Sequence, residues 1–210
     1  MKLVTVYTKY FSKLYNVLRS KESSNALWLV FDKLLRFLFS FITGILIARY
    51  LGAHEFGILS YAQAYVSIFS TIALLGLDSI VVRELIIHPE KEKEILGSTF
   101  LLKLASGTIL FVLSSVIYYL FSPNNVTTAI IITIISASII FQAFDSIAFW
   151  YQAKLLSKYV VIAKNLALIL GSIAKIAVIY FKGQLVHLAI VSSLELSIGS
   201  IFLFLIFKKQ

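Results

Sequence analysis

The sequence predicts an all-α integral membrane protein built on six transmembrane helices. Three observations predict it. First, 60% of the 210 residues are hydrophobic and only 14% are charged, against roughly 45–50% and 25% in soluble domains. Second, six apolar stretches reach the ~20 residues needed to cross a hydrocarbon core about 30 Å thick. Third, lysine and arginine are shared very unevenly between the loops that join those stretches. A transmembrane barrel does not fit, because its strands alternate apolar and polar over about 10 residues. These runs are continuous and about twice as long.

The stretches are 26–48, 57–77, 99–121, 126–150, 160–181 and 185–207. Before them, Leu3, Tyr7, Tyr10, Phe11, Leu14, Tyr15 and Leu18 recur at helical spacing, while Lys2, Lys9, Lys13 and Arg19 fall largely elsewhere on the wheel. That pattern reads as an amphipathic helix on anionic headgroups; a disordered basic tail is the alternative. It is too polar for a secretory signal peptide. The chain divides into a cytoplasmic amphipathic segment, 1–25, and one membrane domain, 26–210. Ser23-Ser24-Asn25 is a helix-start signal for the first stretch, and Trp28 stands where an interfacial aromatic belongs.

The longest link, 78–97, mixes five acids with three bases. It reads as a helix continuing past the membrane to His88, a turn at Pro89, and a charged start to the third stretch, whose acids suit a helix N-terminus. The links 122–125 and 182–184 are tight hairpins with no room for an outer domain.

Placing the N-terminus in the cytoplasm puts most positive charge inside, as short loops require. The inner segments then hold Arg83, Lys91, Lys93, Lys103, Lys154, Lys158, Lys164, Lys208 and Lys209 as well as the N-terminal cations. The outer loops hold Arg49 and Lys182. Lys33, Arg36 and Lys175 lie well inside stretches, away from their inner ends. The net charge of +9 is therefore read as loops beside anionic lipid, with no nucleic-acid partner.

Charges inside a bilayer cost at least about 2.5–3.5 kcal/mol each on insertion scales, so they face protein or water. Asp32 and Arg36 share a helix face at four residues' spacing, as do Lys33 and Arg36 at three. They either pair and snorkel or line a polar cavity. Lys175 and Glu195 have depths that allow pairing across the tight 182–184 turn, for structure or for function. Asp145 reads as an interfacial residue, and His187 as a solvated or satisfied one. Ser136, Ser138, Ser172 and Gly171 read as close-packing positions.

No phosphate-binding loop, dinucleotide glycine fingerprint or H-E-x-x-H occurs. The sequence has no cysteine, and its three histidines are scattered. No cofactor, metal or enzymatic activity is expected.

Two motifs go further. Ala48-Arg49-Tyr50-Leu51-Gly52 followed by Phe56-Gly57-Ile58-Leu59-Ser60-Tyr61, and Leu75-Gly76-Leu77-Asp78-Ser79-Ile80-Val81-Val82-Arg83-Glu84, resemble signatures of the O-antigen and teichoic-acid flippases. These belong to the multidrug/oligosaccharidyl-lipid/polysaccharide exporter superfamily. Phe149-Trp150-Tyr151-Gln152 extends the resemblance more weakly. Relatives often carry Pro where Ala53 stands. They have twelve to fourteen spans in two lobes around a central cavity, so six spans look like the N-terminal lobe, and a C-terminal lobe is an expected partner.

The resemblance implies translocation of an undecaprenyl-diphosphate-linked glycan across the bacterial inner membrane, in contact with membrane lipids, a polysaccharide polymerase and chain-length proteins. Lys33, Arg36 and Lys175 become candidates for holding the diphosphate, with Asp32 and Glu195 as counter-charges. Arg49, Gly52, Gly57, Asp78 and Arg83 become gate or structural positions, Gly52 and Gly57 bracketing an outer turn and Asp78 with Arg83 forming a latch or an interfacial anchor. A cation-coupled antiporter of the same superfamily and a non-transporting scaffold for glycan assembly are the alternatives.

Overall fold

The computed structural model describes residues 21–74 and 76–208; the proposed amphipathic segment therefore lies almost wholly outside the described residues. All the regular structure described is helical. Helix α1 spans Lys21–Ala73, α2 Asp78–Ile87, α3 Glu92–Phe121, α4 Val126–Ser136, α5 Ser138–Phe141, α6 Asp145–Ala153, α7 Ser157–Tyr180 and α8 Leu185–Lys208. Short 3₁₀ turns occupy Pro89–Lys91 and Gln142–Phe144. Among the described residues, five helical segments are long and apolar enough to cross a membrane, and the first, Leu27–Ile87, has 61 residues, enough for two passes.

Gly52 divides that first segment. Its φ of 73° and ψ of 177° lie in a region that only glycine occupies without strain. The chain folds back there: Arg36 and Leu74 line one cavity, although a straight helix would hold them about 57 Å apart at 1.5 Å per residue. The two arms of α1 are thus the first and second spans, giving six passes. The turn is tighter than the sequence suggests. Gly57 does not end it, because helix resumes directly after Gly52 and Gly57 lies inside the return arm.

Side-chain bonds set the register. Asn25 Oδ1 accepts from the Ser157 amide (2.8 Å), Asn165 Nδ2 donates to Asp32 Oδ1 (2.9 Å), and Tyr50 Oη donates to the Gly183 carbonyl (2.9 Å). The first arm of α1 therefore runs parallel to α7. Tyr65 Oη donates to the Ser114 carbonyl (3.0 Å) and Ser106 Oγ to the Ala73 carbonyl (3.2 Å), so the return arm is antiparallel to α3. Asn25 does not start its own helix as expected, since helix is already present from Lys21. It caps α7 instead, satisfying one of the amides that a helix start leaves open.

Two further expectations change. The second span does not continue as helix to His88. It ends at Ala73, and Gly76, with φ of 61°, lets the chain turn before α2. The expected turn at Pro89 is present. The fourth stretch is not one helix either: it is broken between Ser136 and Asp145 into α4, α5, the 3₁₀ turn and α6. Ser136 and Ser138 donate back to the Thr133 and Ile135 carbonyls (3.1 and 2.7 Å), contacts that bend helices. Ser200 of α8 donates to the Phe141 carbonyl (3.2 Å), satisfying backbone that the break would otherwise expose to hydrocarbon.

The bundle has apolar clusters at both ends. Ile47, Leu59, Ala62, Ile131 and Leu188 pack at the Gly52 end. Ile147, Tyr151, Val160, Ala163 and Leu203 pack near the opposite, Pro89 end. Lipid is as apolar as these side chains, so close contact rather than water exclusion holds spans together. Gly107 shows how close: a Cβ there would lie 3.0 Å from the Ile139 carbonyl oxygen. Phe37, Phe41, Leu102, Ile109 and Leu170 are exposed, an outward-facing apolar surface of the kind lipid covers.

The glycines of the first hairpin give a direct comparison. Gly52→Ala is expected to lower stability by about 1–3 kcal/mol, because the ordinary side chain must adopt strained backbone angles. Gly57→Ala has ordinary helical angles and open space around the new methyl group, and is expected to lose nothing. Unfolding of the two variants in detergent micelles measures the difference.

Candidate functional site

Between the two end clusters lies a polar cavity of about 240 Å³, its wall including Arg36, Gln142, Asp145, Lys164, Glu195 and Ser200. The broken region of the fourth stretch supplies Ser138, Phe141, Gln142 and Asp145. Irregular backbone at membrane depth belongs where it lines a cavity, and here it does.

Three ion pairs converge on this space. Arg36 Nε donates to both carboxylate oxygens of Asp32, at 3.1 and 3.0 Å. Asp32 also accepts from Asn165. Lys164 Nζ lies 2.7 Å from Asp145 Oδ1, and Lys175 Nζ lies 2.7 Å from Glu195 Oε2. The last pair is well enclosed, each side chain being 15% exposed. Gly171 makes room for it: the Glu195 Cγ and Cδ atoms sit 2.6 and 2.7 Å from where a Cβ at Gly171 would be.

Arg36 Nη2 and Gln142 Oε1 are buried without a hydrogen-bond partner among the described residues. Both residues line the cavity. Buried polar atoms normally find partners, so this wall still has a donor and an acceptor to offer. The lining cations Arg36 and Lys164 are matched by the lining acids Asp145 and Glu195. The cavity is polar but charge-balanced.

The expected site residues are only partly brought together. Arg36 and Glu195 line the cavity, while Asp32 and Lys175 stand behind them as their partners. Lys33 is exposed and is not in the lining. Arg49 is exposed on α1 close to the Gly52 turn. Asp78 and Arg83 do not latch to each other. Five residues apart, they leave α2 on different faces. Asp78 holds Lys103 (3.3 Å), and Arg83 holds Glu84 (3.1 Å). Lys103 Nζ also lies 4.3 Å from the centre of the Phe149 ring.

The sequence does not pair Asp145 with Lys164; the structure does. Asp145 lines the cavity as well as standing near the inner end of its stretch, and Lys164 lies within α7 rather than in a loop. Lys164 lies four residues into the fifth stretch and Asp145 five residues from the end of the fourth. That match in depth, about 6 and 7.5 Å at 1.5 Å per residue, was the available signal. At the Pro89 end, Glu92 takes hydrogen bonds from Trp150 Nε1 and from Lys154 Nζ (3.1 Å), tying the start of α3 to α6. His187 Nδ1 accepts from the Gln184 amide (3.1 Å) and so serves the 182–184 turn.

Six apolar passes around a charge-balanced internal cavity define a multi-pass membrane protein with a polar site at depth. The sequence matches the family described as polysaccharide biosynthesis protein over residues 23–210, and the chain belongs to that family. Comparisons with curated proteins and with solved structures return no match. The family supports a role in polysaccharide biosynthesis or export.

Proposed function

We propose that the protein moves a polyprenyl-diphosphate-linked oligosaccharide from the inner to the outer leaflet of the bacterial plasma membrane, with its N-terminus in the cytoplasm and a second lobe completing the path. The carrying observation is the polar cavity bounded by Arg36, Asp145, Lys164 and Glu195 within a family of polysaccharide biosynthesis proteins. A sugar headgroup cannot cross hydrocarbon unless its polar groups find partners. A wall offering both donors and acceptors suits hydroxyls, and the open end of the Arg36 guanidinium suits a phosphoryl oxygen. The broken fourth stretch fits a transporter whose lobes rock around a mid-membrane site. The cavity wall moves the proposed diphosphate contact from the expected trio Lys33, Arg36 and Lys175 to Arg36, with Lys164 beside it in its pair with Asp145.

The charge balance of the cavity favours a second reading. Asp145 and Glu195 facing the cavity would serve a cation-coupled antiporter of small molecules. The test is complementation. In a strain lacking its own glycan translocator, the full-length protein restores surface polysaccharide, and Arg36→Gln abolishes that restoration at unchanged protein level. Restored drug resistance without surface glycan would select the antiporter, and undiminished glycan with Arg36→Gln would refute the cargo role of this cavity.

A further inference from the structure

A second polar recess lies at the Gly52 end, away from the central cavity. It has a volume of about 520 Å³ and is walled by the return arm of α1, the end of α3 and the start of α4. It is shallow and open to the surroundings, with His54, Gly57, Tyr61 and Asn125 all exposed. Tyr61 and Tyr118 form one wall, their ring centres 6.2 Å apart. Tyr118 is 6% exposed and is fixed edge-on to Tyr65, 5.7 Å between centres. Tyr61 is 53% exposed and presents its ring to the surroundings. His54, Asn125 and Thr128 supply polar groups around it.

Three features single the recess out. Among the described residues its wall contains no Lys, Arg, Asp or Glu, so it has no such charge to pair with a phosphate. Its polar atoms are amide, hydroxyl and imidazole groups, set beside an aromatic ring. Gly57 lines it with nothing within 4 Å of an added Cβ, so neither backbone strain nor helix packing explains a glycine there. The missing side chain leaves the floor open. An interfacial aromatic belt explains the exposed Tyr61, and packing in the cluster at this end holds Tyr118, but neither explains the polar groups gathered beside them or the bare backbone at Gly57.

We propose that this recess is a binding subsite for neutral sugar residues, one hexose stacking an apolar face on Tyr61 while His54, Asn125 and Thr128 hydrogen-bond its hydroxyls. The inference rests on the translocation reading for its biological sense: with the N-terminus inside, the recess opens on the outer face, where an emerging glycan arrives first.

The experiment uses the purified full chain in lipid nanodiscs and saturation-transfer NMR against glucose, galactose, rhamnose and N-acetylglucosamine. At least one sugar is expected to bind, and Gly57→Leu, which fills the floor, is expected to weaken it at least fivefold. Tyr61→Ala is expected to weaken it similarly, and serves if Gly57→Leu fails to fold. Binding of none of the four sugars, or binding indifferent to both substitutions, overturns the subsite. Failure of the translocation reading is seen separately, as no surface polysaccharide restored by the full-length protein, and leaves the NMR result standing.

Discussion

Glu195→Gln is expected to destabilise the protein by about 3–5 kcal/mol, the cost of breaking a buried ion pair from one side. The reason is geometric. Lys175 and Glu195 lie 2.7 Å apart with each side chain 15% exposed, on two helices that are continuous throughout. The substitution keeps the volume that packs on Gly171 but leaves the ammonium group without its counter-charge. Lys175→Met leaves the carboxylate alone and should cost a similar amount. The double variant removes both charges and is expected to recover at least half of the combined loss. Unfolding midpoints of the four proteins in detergent micelles measure this cycle. Additive losses in the double variant would mean that the pair does not hold α7 to α8.

Arg36→Lys is expected to reduce export of surface glycan at least tenfold, nearly as severely as Arg36→Gln. Charge alone is not what this position supplies. The Nε edge of the guanidinium is committed to both oxygens of Asp32, and Nη2 is left without a partner among the described residues. A planar fork can serve both sides at once; an ammonium group is a single point charge and cannot. Lys33→Gln is the comparison, since Lys33 is exposed and absent from the cavity wall, and it should lose less than twofold. Equal losses at both positions would point to bulk charge rather than a shaped site. Quantified surface polysaccharide at matched protein levels checks the difference.

What could be read from the sequence followed from helical periodicity and depth. The apolar stretches mark the passes, because the hydrocarbon thickness fixes their length. The pairs Asp32–Arg36 and Lys175–Glu195 follow from spacing and from counting outwards from a short turn. The break in the fourth stretch was hidden: residues 126–141 are mostly apolar or β-branched, and no Pro or Gly ends a helix there. The distant hydroxyl of Ser200 and the back-bonded serines 136 and 138 support that bend. Lys164 was hidden differently. Positive-inside counting assigns every cation near an inner boundary to a loop, while its real partner, Asp145, lies on the antiparallel neighbour. Gly76 lay in view within its motif, but its left-handed φ could not be read from residue type alone.

Translocation itself is best measured in vesicles holding a fluorescent polyprenyl-diphosphate oligosaccharide in both leaflets, with a membrane-impermeant glycosidase added outside. In vesicles carrying the full-length protein, cleavage is expected to pass the half that is initially accessible and run towards completion. With Arg36→Gln it should stop near that half, as in protein-free vesicles. Cleavage halting at the outer leaflet with the unaltered protein would contradict the central claim that the cavity carries a glycan headgroup across the bilayer.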